Sequence, residues 1–288
     1  MDDRPLDAVL RARLHLPEGS GVRLKAIRGV LSVIDGVART VSGRPLFALR
    51  ETEDLMRRLD GLTGAEVPRR ILELNGGTEI LAHGLGHVPP SGAVVVASTH
   101  PTGMLDFIAH AGALLDRRPD LKVVANQEVE VFLGPELIVP VRIDKVNRAI
   151  SGDRVFRGMQ EHLDRGGALL IFGSGRVPRQ VGGRLVEPAW RSGASRISQA
   201  CQVPVVPAAI NTRNSGRYHA LRRLGQLLGG GDDHFGAMVG SLRYPAELLE
   251  QLGGRIEVHY GAPLAPGTAP DRLKRAAEGL VPGLYEGN

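Results

Sequence analysis

An intrachain disulfide is excluded at the outset, because Cys201 is the only cysteine in the chain. A lone thiol suits a reducing compartment. Cys201 lies in the apolar, helix-like stretch RISQACQVPVV, where a thiol serves as filler rather than as a nucleophile. Long hydrophobic runs are missing too. The longest are AVVVA (93–97) and ALLIF (168–172), far short of the ~18 apolar residues a membrane-crossing helix needs. Asp2 and Asp3 open the chain without the charged-then-apolar pattern of a secretory signal, so a cytoplasmic protein is expected. Aromatic residues make up only 4%, which argues against stacking platforms for single-stranded nucleic acid. Lysine is scarce as well, with Lys25, Lys122, Lys145 and Lys274 its only positions, so the net charge of +5 rests on arginine. Such an excess suits an anionic lipid, a phosphorylated substrate or an acidic carrier protein.

The 288 residues present suffice for one large α/β domain with a small extension, burying roughly 70–75% of the unfolded surface without disulfide or structural metal. Residues 22–41 predict an amphipathic helix, with Ile27, Val30, Leu31, Ile34, Val37 and Val41 on one face. Lys25, Arg28, Ser32, Asp35 and Arg39 share the other face. Two uses fit this pattern: packing on the main domain, or lying in the plane of a membrane with basic residues at headgroup level. A second helix follows, with Leu55, Met56, Leu59 and Leu62 on one side. From about residue 78 the pattern becomes alternating strands and helices. Strand-like runs fall at 93–98, 122–125, 137–141, 168–172, 203–210 and 255–260, and a helix over 153–165. The expected fold is α/β: a mainly parallel or mixed central sheet flanked by helices, with an N-terminal amphipathic helical extension. The expected division is a helical membrane-contact segment, 1–70, and an α/β domain, 71–288.

Sites in such sheets form at the C-terminal ends of strands. After AVVVAS comes Thr99-His100-Pro101-Thr102-Gly103-Met104-Leu105-Asp106. Pro101 keeps His100 out of a helix, Gly103 permits a tight turn, and Asp106 falls in the first turn of the next helix. The carboxylate can then return to one ring nitrogen, leaving the other as a base. After ALLIF comes Gly173-Ser174-Gly175-Arg176-Val177-Pro178-Arg179. Its backbone amides suit a phosphate or an oxyanion, and Arg176 or Arg179 a forked anion contact. VPVVPAAI leads into Asn211-Thr212-Arg213-Asn214-Ser215, and LIVPVRID places Arg142 and Asp144 at another strand end. His83 and His87 are four apart, but Gly84, Gly86 and Pro89-Pro90 argue for a loop and against a helical metal site. GGGDDH (229–234) reads as a loop, and Trp190 as a packing residue.

These blocks, in this order, resemble the glycerolipid acyltransferase superfamily over roughly residues 78–263. The counterparts are His100–Asp106, Val139-Pro140-Val141-Arg142, Phe172-Gly173-Ser174-Gly175 and Val203-Pro204-Val205-Val206-Pro207. The departures are five residues between His and Asp where the family has four, Ser174 in place of the third block's Glu, and Gly173 in place of its Pro. They resemble the hemolysin-like or bacterial aminolipid-associated branch, as do Pro188-Ala189-Trp190-Arg191 and Arg213-Asn214-Ser215. The resemblance implies a lysophosphatidate-type acyltransferase of lipid biosynthesis. His100, aligned by Asp106, deprotonates a lyso-lipid acceptor, which attacks an acyl thioester on coenzyme A or acyl carrier protein. The acceptor is a lysophospholipid or an amino-acid-containing lyso-lipid. Amides near Ser174 and Gly175 stabilise the oxyanion, and Arg142, Arg176, Arg213 and Asn214 contact substrate. Neither metal nor resident cofactor is required. The implied setting is peripheral, on the inner face of the membrane. A thioester hydrolase and a silent lipid-binding protein of the same fold are the alternatives.

Overall fold

The computed structural model describes residues 5–14, 16–17, 19–141 and 148–286. In chain order the elements are α1 (Pro5–Arg13), α2 (Gly21–Ser42), α3 (Leu49–Leu59), α4 (Glu66–Leu72), β1 (Glu79–His83), β2 (Val94–Ser98), α5 (Met104–Leu114), β3 (Lys122–Asn126), α6 (Glu130–Leu133), β4 (Ile138–Val141), α7 (Arg148–Asp164) and β5 (Ala168–Phe172). There follow β6 (Arg179–Val181), β7 (Arg184–Val186), α8 (Gly193–Cys201), β8 (Val205–Ile210), α9 (Gly216–Leu228), α10 (Asp233–Ser241), α11 (Tyr244–Gln251), β9 (Arg255–Tyr260) and α12 (Pro270–Glu278). They form two compact units, one of residues 1–62 with 214–252, the other of 63–213 with 253–288.

The larger unit holds a sheet in the order β1-β9-β8-β2-β5-β3-β4. Every pairing in it is parallel except β8 with β9, so the α/β expectation stands, with a mixed sheet. β2 and β8 are buried along their whole length, as parallel strands covered on both faces must be. This is why they read as unbroken apolar runs rather than as alternation. One core cluster joins Val95, Leu169, Ile171 and Val205 of the sheet to Trp190, Ala194, Ile197, Leu273 and Ala277. Cys201 ends α8, half-buried against that cluster, and burial pushes its thiol pKa up. β1 and the antiparallel β6–β7 hairpin had no clear sequence signal, being short and partly polar. His83 corrects the loop expectation by ending β1, while His87 sits in a single 3₁₀ turn.

The smaller unit packs Leu6 and Leu10 of α1, Leu24 and Leu31 of α2, Phe47 and Leu49, with Leu221 and Leu242 against them. Here α2 departs from its expected faces. It buries Leu24, Leu31 and Asp35, and it exposes Val22, Val30, Val33, Ile34, Val37 and Val41. Asp35 turns inward because its carboxylate accepts from the amides of Phe47 (2.6 Å) and Leu49 (3.0 Å). Those donors at the start of α3 would otherwise be orphaned. α3 buries Leu49, Thr52, Leu55 and Leu59, and Leu62 lies beyond its end. α9 and α10 pack closely at Gly225, Gly236 and Gly240, where a β-carbon would meet Val239, the Arg222 carbonyl and Tyr218 respectively. The GGGDDH stretch turns between these helices, and Asp232 caps α10 through the His234 amide at 2.8 Å.

Candidate active site

β8, β2 and β5 are neighbours in the sheet, so the segments that follow their C-terminal ends emerge side by side. Ser98-Thr99-His100 leaves β2, Gly173-Ser174 leaves β5, and Asn211 leaves β8. Thr99 N donates to Ala208 O (3.1 Å), and Gly173 N to Ser98 O (3.0 Å). The strand ladder thus fixes the start of each loop.

Gly103 precedes α5 with φ +92°, a conformation that glycine adopts without strain. It turns the chain so that Asp106, in the helix's first turn, faces back. The Asp106 carboxylate is fully buried. It accepts from Thr102 N (3.0 Å), Gly103 N (2.9 Å) and the Thr102 hydroxyl. Oδ2 also lies 2.8 Å from His100 Nδ1. That contact is short but off the axis of the ring N–H, so a small rotation of the imidazole aligns it. The ring stacks on Phe172 at 4.1 Å between centroids and keeps 18% exposure. An imidazole stacked on one side with Nδ1 turned towards a carboxylate leaves Nε2 as the ring nitrogen available to a reacting group.

One helical turn beyond Asp106, His110 is wholly buried. Nε2 lies 2.8 Å from Ser98 Oγ and Nδ1 3.0 Å from the Tyr260 hydroxyl. This residue was missed by sequence reasoning, although Asp106 and His110 are spaced i, i+4 on one helix face. Burial, the largest cause, lowers the His110 pKa to about 4; His100 lowers it further, and Asp106 opposes. His110 is therefore a neutral strut. In the unfolded chain it titrates at about 6.5, so it takes up a proton there first as pH falls. The stability it contributes is full above that value and is lost as pH falls through about 4, worth about 3 kcal/mol by linkage. Urea midpoints measured from pH 7 to pH 4 should show that loss, and His110→Gln should flatten it. An equally steep acid limb in the variant would refute the assignment.

Ser174 is buried and makes a tight local turn. Its hydroxyl donates to Arg176 O (2.9 Å) and accepts from Arg176 N (3.2 Å). The Gly175 amide closes the turn on Phe172 O at 3.1 Å. A β-carbon on Gly173 would sit 2.0 Å from the Trp190 ring, so Trp190 packs flat against this turn. The side chains of Arg176 and Arg213 are exposed, and Arg213 donates to Gly183 O at 3.1 Å. Asn214 is buried and belongs to the smaller unit. Arg142 and Asp144 lie outside the described residues. A second residue missed in the sequence, Glu187, is buried just past β7 beside the Ser174 hydroxyl.

Among the described residues, one group clusters metal-ligand atoms. His83 of β1 and Glu257 and His259 of β9 bring one such atom each within 4.8 Å of one another, on strands separated from β2 by β8. The two imidazoles stack nearly parallel, 16° apart, with 4.6 Å between ring centroids.

No curated protein matches this sequence. Among solved structures, the chain is similar to the 1-acyl-sn-glycerophosphate (LPA) acyltransferase PlsC from Thermotoga maritima. The TM-score is 0.48 at 14% identity, over 89% of this chain and 95% of that one. Residues 40–272 match the family described as Acyltransferase. With most of its length covered by that match, including the His100 block, the Ser174 turn and the strands that carry them, the chain belongs to the acyltransferase family.

Proposed function

We propose that this acyltransferase moves a fatty acyl group from a thioester of coenzyme A or acyl carrier protein to a lyso-lipid acceptor, with His100 as general base and Asp106 as its orienting partner. The observation that carries this reading is the 2.8 Å contact between His100 Nδ1 and a carboxylate that three further donors hold in place. His100 Nε2 takes the proton from the acceptor's hydroxyl or amine as that atom attacks the thioester carbonyl. The tetrahedral oxyanion needs a donor from the turn after β5. Because the Gly175 amide is spent on Phe172 O, the Ser174 amide takes that role. When the tetrahedral species collapses, the C–S bond breaks, the thiolate leaves, and the proton held on His100 neutralises it to the free thiol. Neither a covalent acyl-enzyme nor a metal is required. Arg142, Arg176, Arg213 and Asn214 are the proposed substrate contacts, and they suit an anionic headgroup.

The acceptor is a lysophospholipid or an amino-acid-containing lyso-lipid. Ser174 stands where the resembled family carries a glutamate, which favours the second. The test supplies acyl thioester with each lyso-lipid and with none. Acyl lipid formed only with acceptor supports transfer. Free fatty acid released at an equal rate without acceptor supports the hydrolase alternative. Binding of lipid with no turnover supports the silent protein.

We also propose peripheral membrane contact through residues 22–41 within the segment 1–70, on the cytoplasmic face, with 71–288 carrying the chemistry. No helix among the described residues is long and apolar enough to cross a membrane. α2 nevertheless exposes Val22, Val30, Val33, Val37 and Val41 to solvent along its 22 residues. This apolar stripe is separate from the Leu24–Leu31 face that packs, and Arg23 and Lys25 are exposed near its start. Such a helix lies at the headgroup boundary. Leu224, Leu227 and Leu228 of α9 and Phe235 of α10 are exposed in the same unit. Paired Val33→Asp and Val37→Asp substitutions should cut partitioning onto anionic vesicles by about tenfold or more. Cosedimentation measures this, and unchanged partitioning would refute the assignment.

A further inference from the structure

Glu187 is 5% exposed, and neither carboxyl oxygen finds a hydrogen-bond partner among the described residues. A buried, unpaired carboxylate is too costly to keep as an ion and takes up a proton instead. Every charged or titratable group that faces it is also in the larger unit. Glu278 and Lys274 come from α12, Asp106 from α5 and Tyr285 from the C-terminal segment, which pairs with β7 through Leu185. Lys274 offers little relief, since it is ion-paired to Glu278 at 2.8 Å. Burial is the main cause that raises the Glu187 pKa to about 8; the neighbouring Ser174 hydroxyl opposes the rise, Glu278 and Asp106 add to it, and Lys274 opposes it.

The Ser174 hydroxyl beside it requires the same protonation state on independent grounds. That hydroxyl has one proton, and it is given to Arg176 O. What remains on the oxygen is acceptor capacity, part of it used by Arg176 N. A carboxylate offers only acceptors and cannot bond to it, whereas a carboxylic acid can donate. We propose that Glu187, as a neutral acid, is a positioning residue of the acyl-transfer centre: it donates its proton to Ser174 Oγ and so fixes the Gly173–Arg176 turn beside His100. The turn meets the catalytic histidine through Phe172, on which His100 stacks.

The inference rests on the His100 reading, and the experiment separates the two. Trp190 is the only tryptophan, and its ring lies on Gly173, so its emission reports on the turn without any substrate. The wild-type chain should show an emission change with a midpoint near pH 8, which Glu187→Gln abolishes. In assays, Glu187→Ala should lower kcat by about 10- to 100-fold with little change in KM for the thioester. Glu187→Gln, which still donates, should restore most of that loss and remove the alkaline fall of the wild-type pH–rate profile. A Trp190 titration identical in wild type and Glu187→Gln would overturn the proposal, and so would full activity of Glu187→Ala. A fully active His100→Ala variant would overturn the general-base reading alone, leaving the fluorescence result to judge Glu187.

Discussion

Replacing His100 with alanine is expected to reduce kcat for acyl transfer by about 10²- to 10⁴-fold, the range general-base catalysis supplies. Global stability should change little. The ring is partly exposed, and its main packing contact is the stack on Phe172, so its loss leaves no large cavity. Its partner behaves differently. Asp106 is fully buried and is the acceptor for Thr102 N, Gly103 N and the Thr102 hydroxyl. Asp106→Ala orphans these donors, at about 1–3 kcal/mol each, and confounds loss of activity with loss of fold. Asp106→Asn is the better companion variant. It keeps an acceptor for the loop but removes the charge that, in the proposed mechanism, stabilises the imidazolium in the transition state. A loss of similar size to that of His100→Ala is expected, measured as kcat/KM over a range of pH. If His100→Ala keeps more than about a tenth of wild-type kcat, the base lies elsewhere.

The largest expected effect on stability falls in the smaller unit. The Arg243 guanidinium has no solvent exposure. It bonds Glu247 Oε1 at 2.6 Å, Glu250 Oε2 at 2.7 Å and the Leu46 carbonyl. It thereby joins α11 to the segment between α2 and α3. Glu247 is itself 2% exposed, and it also accepts from Ser215 N (2.7 Å) and Ser215 Oγ (2.6 Å). Arg243→Ala leaves that buried carboxylate without its cation, a loss of about 3–5 kcal/mol. Against the roughly 5–15 kcal/mol that holds a folded domain, this is a large fraction, and the urea midpoint should fall accordingly. The double variant Arg243→Met with Glu247→Gln should recover part of the loss, because removing both charges also removes their desolvation cost. A midpoint unchanged in Arg243→Ala would mean that water or another cation reaches Glu247.

Much of the sheet was legible in the sequence because its strands are buried on both faces. β2, β5 and β8 had to be short and apolar, and turn residues had to follow them. The His100–Asp106 pair was legible for a local reason. Six positions spanning a proline, a glycine and the first turn of a helix leave few ways for the two side chains not to meet. β1 and the β6–β7 hairpin were not legible, since edge strands of three to five residues with exposed polar positions look like loop.

What the sequence determined by itself was therefore the alternation of elements, the apolar stripes and the local His–Asp turn, all set by neighbours within a few residues. The tertiary structure alone decided that residues 214–252 join the N-terminal helices, and that α2 spends one apolar face on packing while leaving a second in solvent. It also decided that Glu187 lies beside Ser174 and that His110 props the strand end at Ser98. Periodicity states that a stripe must be covered and chemistry that a buried acid must be paired or neutral, but which group meets it depends on long-range packing, which leaves no local mark on the chain.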